Sequence, residues 1–492
     1  MNFQVLSYPM TMKNDANYAS NCVRIHDEIR GAVGKDAHSI AAFSVYTWNL
    51  DAIIEVCNRL RISRPKTRVI WGGPEVCLDF INDGVFDSLP VDYLVLGEGE
   101  ITFKNFLDAL VSGDAGAIKK IANLAERVDG TFTLNAVEPA ELDLGGIPSP
   151  VLLGRVDGLL SRPGMRANIE TQRGCNFRCA YCFYHKSYCG IRYRDPELVL
   201  REILHAYRKG CTAARITDAN FASRKDHALA IMNGLVQHGV KMILMTECLP
   251  QSIDEEIADS FGRFIAVSPE NKLTVGIGLQ SLNEKSMKTI RRHINKKYFE
   301  SAFELLKMNK AIIKSDIILG LPYETKETYL NSIDFLVNLQ RDGYNLASVG
   351  LLRVLPGTDL VAIAEETGLV YDRNDSEHYI YSTPDMPRQD MLYCLKVTTV
   401  VSRIISARDI ESKIRIKDRY FRVKDSLGVS NSVLLRKLVT LFDEYLSGKE
   451  SDYNRPDFPN AEYYYCYRVD SEVPDDVVNS MLNRANCELR LA

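Results

Sequence analysis

Residues 171–186 read TQRGCNFRCAYCFYHK, and the three cysteines among them, Cys175, Cys179 and Cys182, are spaced C-x3-C-x2-C. The stretch directly follows Asn168–Thr171, a segment with the pattern of a short strand. Three thiolates on one tight loop can each hold a different iron of a [4Fe–4S] cube, leaving the fourth iron without a protein ligand. An open iron can chelate a small molecule, as an open zinc position admits water. A four-cysteine structural zinc site needs a second C-x2-C pair, and none lies nearby in the sequence. Cys189 is expected to pack or stay a free thiol, a fourth-ligand role being the alternative.

Downstream of the cysteines, strand and helix patterns alternate. Strand candidates are Asn168–Thr171, Ala214–Thr217, Met242–Thr246, Leu273–Gly278, Ser315–Leu319 and Ser348–Val354, with helical periodicity between them. Six βα units over 166–382 predict a partial or full α/β barrel with its working groups at the strand ends. Upstream, residues 1–115 alternate in the same way. Phe3–Tyr8 reads as a first strand, Tyr18–Val33 as a helix and Ile40–Tyr46 as a buried strand. Leu50–Leu60 has helical spacing, followed by the strands Arg68–Trp71 and Tyr93–Leu96 and a helix over Ile101–Val111. This pattern predicts a parallel sheet covered on both faces, with ligands at the carboxyl ends of its strands. Residues 116–165 read as a connector, with a hairpin signal at Asp129-Gly130 and the stretch GGIPSP at 145–150. Residues 383–492 are mainly helical by pattern (Met391–Ser406, Val433–Leu446) and carry Tyr463-Tyr464-Tyr465. They are expected to close one end of the barrel and shape its pocket.

With Arg173-Gly174 before the first cysteine and Tyr181 before the last, this loop resembles that of the radical S-adenosylmethionine (SAM) superfamily. Members of that family carry a C-x3-C-x2-C loop after the first strand of a partial (β/α)6 barrel. The resemblance implies that the open iron chelates the amino and carboxylate groups of SAM, and that an electron from the cluster cleaves SAM to a 5′-deoxyadenosyl radical. It covers roughly residues 165–360. Glu247 in MTEC closes the third barrel strand, where the family often has a polar contact to SAM; a solvated strand-end charge is the alternative. GLQS (278–281) with Arg291-Arg292 follows the fourth strand, and DIILGLPYET (316–325) the fifth. Gln280 and Ser281 are SAM candidates or caps of the next helix, since Ser281 and Glu284 form a capping-box pattern. Gly320 serves either cofactor approach or a tight strand exit. Asp218 in RITDANF either touches substrate or SAM or caps a helix, and Arg353 either anchors a carboxylate or forms a surface salt bridge.

SVYTWN (44–49), WGGPE (71–75) and LGEGE (96–100) together look like the B12-binding domain ahead of the barrel in cobalamin-dependent radical SAM enzymes. Glycines at successive strand ends let a backbone approach a large flat ligand. The resemblance implies cobalamin near Ser44, Gly72, Gly73, Gly97 and Glu98. The D-x-H-x-x-G motif of domains that ligate cobalt through His is absent; Asp36-Ala37-His38 is nearest, with Ala41 in place of the glycine. Only one helix fits between Phe3–Tyr8 and Ile40–Tyr46, so the sheet is a reduced one. The fold class is therefore α/β: a reduced doubly wound, Rossmann-like domain, a partial (β/α)6 barrel and a helical C-terminal region.

Composition bounds the function. The 492 residues are 46% apolar and 25% charged, which is average for globular chains and excludes collagen, coiled-coil and disordered classes. A net charge of −4 argues against a general nucleic-acid binder. The start MNFQVLSYPM is not a secretory signal, and no apolar run of about 18 residues predicts a membrane span. The 12 cysteines are then metal ligands or reduced thiols, and a cytoplasmic location is expected. The leading function is a radical SAM enzyme that functionalises an unactivated carbon, by cobalamin-dependent methyl transfer. The alternative is dehydration, epimerisation, rearrangement or C–C bond formation with the N-terminal domain as scaffold. An iron–sulfur electron carrier ranks last, because carriers saturate every iron with cysteine. Expected partners are a small-molecule or natural-product-intermediate substrate and an electron donor such as flavodoxin or ferredoxin. The stretch Arg403–Lys424, with eight Lys/Arg against three Asp/Glu, reads as an exposed helix face or as an attractor for an anionic partner.

Overall fold

The computed structural model describes residues 17–33, 39–139, 143–184, 190–293, 295–339, 341, 345–373, 378–405, 410–447 and 475–491. The expected strand Phe3–Tyr8, the triplet Asp36-Ala37-His38, Cys189 and Tyr463–Tyr465 lie outside the described residues.

Short apolar runs bounded by turns build the first sheet. β1 (Ile40–Ser44), β2 (Arg68–Gly72) and β3 (Tyr93–Val95) are parallel, with Ala42 opposite Ile70 and Ile70 opposite Tyr93. Both sheet faces are covered, which is why these strands are apolar without alternation. On one side Ala41 packs with Cys22, Ile25, Val56 and Leu60 of the helices Tyr18–Ala32 and Leu50–Ser63. On the other, Ile70, Tyr93 and Val95 meet Phe106 and Ala109 of the helix Gly99–Ser112.

The boundary expected at residue 115 does not hold. β4 (Leu124–Val128) and β5 (Thr131–Leu134) form a hairpin that adds antiparallel to β3, so the first sheet runs on into the expected connector. Asp129 (φ 49°) and Gly130 (φ 93°) supply the two positive φ values of a tight Asp-Gly hairpin turn, and the register Val128–Thr131 follows from it.

The second sheet contains the six expected barrel strands in chain order: β6 (Ala167–Ile169), β9 (Ala213–Ile216), β10 (Ile243–Glu247), β11 (Lys272–Gln280), β12 (Ile312–Leu319) and β13 (Asn345–Leu351), all parallel. Between β6 and β9, the two-residue strands β7 (Gln172–Arg173) and β8 (Arg192–Tyr193) pair antiparallel and close the stem of the cysteine loop. β14 (Val370–Tyr371) and β15 (Ile380–Ser382) form a second small ribbon. In β12, Ile313, Ser315, Ile317 and Leu319 are buried toward the helices while Lys314 and Asp316 take the alternate face, the period-2 rule of a strand.

Residues 388–405, 410–427 and 431–447 are helical as expected, and the first of these helices lies along the side of the barrel. The helix Arg388–Ile405 packs along β12, β13 and the helix Lys326–Leu339, and Met391, Cys394 and Leu395 belong to the same core cluster as the barrel strands. The last strands of an open barrel carry an apolar outer face that needs a covering layer, and this helix supplies it. In the basic helix Ile410–Leu427, Ile416, Tyr420 and Phe421 turn inward, and Arg419 bonds Asn479 of the helix Asp475–Leu491. No helix among the described residues is long and apolar enough to cross a membrane.

Candidate functional site

The cysteine loop is fixed at its neck before it is fixed anywhere else. Gly174 has φ +97°, and a Cβ there would lie 1.7 Å from the Gly190 carbonyl oxygen. The loop thus leaves and re-enters the sheet through a gap that only a glycine passes. Asp218, at the end of β9, anchors the entering strand. It accepts the Thr171 amide (2.8 Å), the Gln172 amide (3.1 Å) and the Thr171 hydroxyl. The side chain is buried, and burial pushes its carboxyl up to about 6 against those hydrogen bonds. Asp218 thus takes neither expected role, ligand contact or helix cap; it ties the second barrel strand to the loop stem. On the exit side Arg194 grips Glu202 with two bonds of 2.7 Å and donates to the Glu170 carbonyl.

Within the loop, the Cys182 amide donates to the Cys179 carbonyl (3.0 Å), a turn that brings these two thiols to one side. Burial raises the Cys175 and Cys182 thiols above their usual range, and the neighbouring cysteines of the triad raise them further. The described residues contain no three His, Cys, Asp or Glu side chains that converge on a single ion. Three thiols on one short loop, close enough to raise one another's pKa, suit a polynuclear cluster with one iron per thiolate. Positive charge at the metal reverses the penalty on the thiolates. The donor set thus fits the group implied by the spacing.

The SAM candidates separate into two pairs. Glu247 and Gln280 lie on the bare face of β11 made by Gly276 and Gly278. A Cβ on Gly276 would strike the Glu247 carboxylate at 1.8 Å, and one on Gly278 would strike Gln280 Nε2 at 2.2 Å. Arg292 joins them, donating to the Gly278 carbonyl (3.2 Å) and reaching Cys179 Sγ at 3.8 Å. Burial pushes the Glu247 carboxyl up, opposed by Lys314 at 3.9 Å.

Ser281 and Gly320 point elsewhere. Ser281 Oγ donates to Glu324 and accepts the Asn283 amide at 2.9 Å, fixing the turn after β11. At Gly320 a Cβ would meet Ile380 Cδ1 at 2.1 Å and Met391 at 3.1 Å. That glycine makes room for the C-terminal core, not for a cofactor. The expected capping box is replaced: Asn283 caps the helix Glu284–Thr289 by accepting the Ser286 amide.

All five residues singled out for cobalamin line one cavity of about 460 Å3 at the carboxyl edge of β1–β3. Ser44, Gly72, Gly73, Gly97 and Glu98 share it with Ala42, Phe103 and Arg173. Their roles differ. A Cβ on Gly73 (φ +106°) would lie 2.7 Å from the Val45 oxygen and 2.9 Å from its nitrogen, so the protein's own backbone excludes it. At Gly97 nothing lies within 4 Å, and the missing side chain leaves open space. An open, mostly apolar cavity edged by glycines accommodates part of a large planar cofactor. The Glu98 carboxylate is not open to a ligand: its side chain is only 2% exposed and is held by Arg173 (2.7 Å) and Arg192.

Arg353 is neither a surface ion pair nor a free anchor. It bonds Thr47 Oγ1 (3.4 Å) and Tyr379, and it acts on Glu75 of WGGPE, whose carboxyl burial pushes up to about 7. Sequence reasoning passed over Glu75 and Glu324; their only signal was a carboxylate inside an otherwise apolar turn.

A model of the radical SAM superfamily matches residues 169–336. The chain is 27% identical over 317 residues to the "uncharacterized methyltransferase PH0819" of Pyrococcus horikoshii, covering 62% of this chain and 65% of that one. It is 27% identical over 341 residues to the cobalamin-dependent radical SAM methyltransferase TokK of Streptomyces tokunonensis, covering 65% of this chain and 48% of that one. The chain thus spans less than two thirds of the length of either relative. Among solved structures, the cobalamin-dependent SAM radical enzyme OxsB superposes with a TM-score of 0.59 at 12% identity, over 96% of this chain and 72% of that one. That likeness extends the same fold from the half-barrel across the glycine-edged sheet in front of it. The family match takes in the cysteine loop together with strands β9 to β12, so residues 169–336 of this chain carry a domain of the radical SAM superfamily.

Proposed function

We propose that this protein is a cobalamin-dependent radical SAM methyltransferase acting on an unactivated carbon of a small molecule. The observation that carries the reading is that the cysteine loop and the glycine-edged cavity share a wall. Arg173, two residues before Cys175, lines the cavity of β1–β3. Bound in these two places, a [4Fe–4S] cluster supplies an electron to SAM and a corrinoid supplies the transferable methyl group. In this reading Cys175, Cys179 and Cys182 hold the cluster, while Glu247, Gln280 and Arg292 supply polar contacts to SAM on the bare face of β11. Gly72, Gly97 and Ser44 leave the space into which the corrinoid enters. The relative TokK, a cobalamin-dependent radical SAM methyltransferase, supports methyl transfer by analogy. A flavodoxin- or ferredoxin-like electron donor and a cytoplasmic location complete the proposal.

The test is anaerobic reconstitution with iron, sulfide and excess aquocobalamin, followed by desalting and reduction in the presence of SAM. The expected result is retained corrin absorbance with formation of 5′-deoxyadenosine and S-adenosylhomocysteine. Deoxyadenosine without corrin absorbance would overturn the cobalamin part and leave a radical enzyme with the first sheet as scaffold. An absence of both products from iron-loaded protein would overturn the enzyme reading.

A further inference from the structure

The loop that carries the cysteines is closed by β7 and β8, where Arg173 stands opposite Arg192. Two guanidinium groups facing each other across a two-residue ribbon repel unless something negative lies between them. Glu98 fills that position from outside the barrel, at the carboxyl end of β3. Its Oε2 accepts from Arg173 Nη1 at 2.7 Å, and its Oε1 accepts from Arg192 Nη2. Arg173 is shared further with Glu100 (2.8 Å) and with Glu170 (2.8 Å). One buried carboxylate of the first sheet thus holds both stems of the loop, one on each side of the triad.

We propose that Glu98 is a positioning residue of the cysteine loop: it pins the entry and exit strands through Arg173 and Arg192, and so sets the placement of the three thiols. It does this in place of the cofactor contact expected from its sequence motif. Charge is essential to the role, because an amide at the same position can accept one bond but cannot neutralise two guanidinium groups. The inference rests on the reading of the triad as a cluster site.

The experiment measures iron loss from the anaerobically reconstituted full chain under an iron chelator, together with the electron paramagnetic resonance spectrum of the reduced cluster. For wild type, Glu98→Gln, Arg192→Gln and the double variant, the expected result is loss about tenfold faster in each variant, as for other residues that orient metal ligands. An altered spectrum is expected in each, and no further acceleration in the double variant. Arg127→Gln is the control. Arg127, on β4 of the same sheet, holds the Phe86 (2.9 Å) and Leu89 (2.7 Å) carbonyls in the turn before β3, away from the cysteine loop. It should lower the melting temperature without speeding iron loss. If Glu98→Gln fails to fold, Arg192→Gln, whose side chain is partly exposed, carries the test. Iron retention equal to wild type in the folded variants would overturn the proposal, as would an equal acceleration in Arg127→Gln. Wild-type protein that takes up no iron would instead overturn the cluster reading, and this inference with it.

Discussion

Cys182 sits one turn after Cys179 and shares its backbone hydrogen bond, so truncating it removes one thiol of the triad without disturbing a core. Cys182→Ala should abolish 5′-deoxyadenosine formation and leave iron content well below wild type. Circular dichroism and the melting temperature of the metal-free protein should stay close to wild type. Retention of a full cluster would show that the triad is misassigned. The two positive-φ glycines of the cavity diverge under substitution. Gly73→Ala places a methyl group against the Val45 backbone and should destabilise by about 1–3 kcal/mol, whatever the ligand. Gly97→Ala meets nothing within 4 Å and bears only the conformational cost, about 1–2 kcal/mol. Its methyl group borders the open cavity, so its selective effect should appear as weaker corrin binding in a spectrophotometric titration. Unchanged corrin affinity in Gly97→Ala would remove that residue from the binding surface.

Among the connecting turns, the one after β12 carries an acid shifted far upward by burial. Glu324 is fully buried and only the Ser281 hydroxyl opposes the desolvation, so its carboxyl is pushed from 4.5 up to about 8. Between those two values the unfolded chain has released a proton that the folded chain keeps, so stability falls as pH rises through that window. Glu75 (about 7) and Asp218 (about 6) shift in the same direction and steepen the fall at its lower end. Glu324→Gln keeps the shape and the acceptor for Ser281 without the titrating proton. Its melting temperature should fall less than that of wild type between about pH 6 and pH 8. An identical pH profile for the two proteins would mean that Glu324 is not protonated in the fold. The turn's neighbours explain this burial: Gly320 is covered by Ile380 and Met391, which closes the space above β12.

At the scale of the whole molecule, the C-terminal helices are a structural layer of the barrel. Met391 is fully buried against Gly320, and Tyr329 and Thr398 join their hydroxyls at 2.6 Å across the same interface. Met391→Ala should lower unfolding stability by about 2–5 kcal/mol, measured by denaturant titration; a smaller effect would mean that this helix is loosely attached. The sequence by itself determined the three cysteines, the six βα units and their order, and the glycine-edged strand ends. Those are local facts: ligand spacing, period-2 and 3.6 apolar patterns, and turns that only glycine enters. It also placed Ser44, Gly72, Gly73, Gly97 and Glu98 at one edge, because the ends of neighbouring parallel strands lie side by side. Tertiary structure alone decided which candidates face a site and which serve the fold. Asp218, Ser281 and Gly320 have the right residue types at strand ends, yet partners 40 or more residues away occupy them: Thr171, Glu324, Ile380 and Met391. The hairpin at Asp129-Gly130 was legible, but not the sheet edge it joins. Glu98 was legible as a charge in a glycine-rich turn. That it holds two arginines flanking the cysteine loop depends on contacts spanning 75 and 94 residues, and no local pattern encodes a separation of that length.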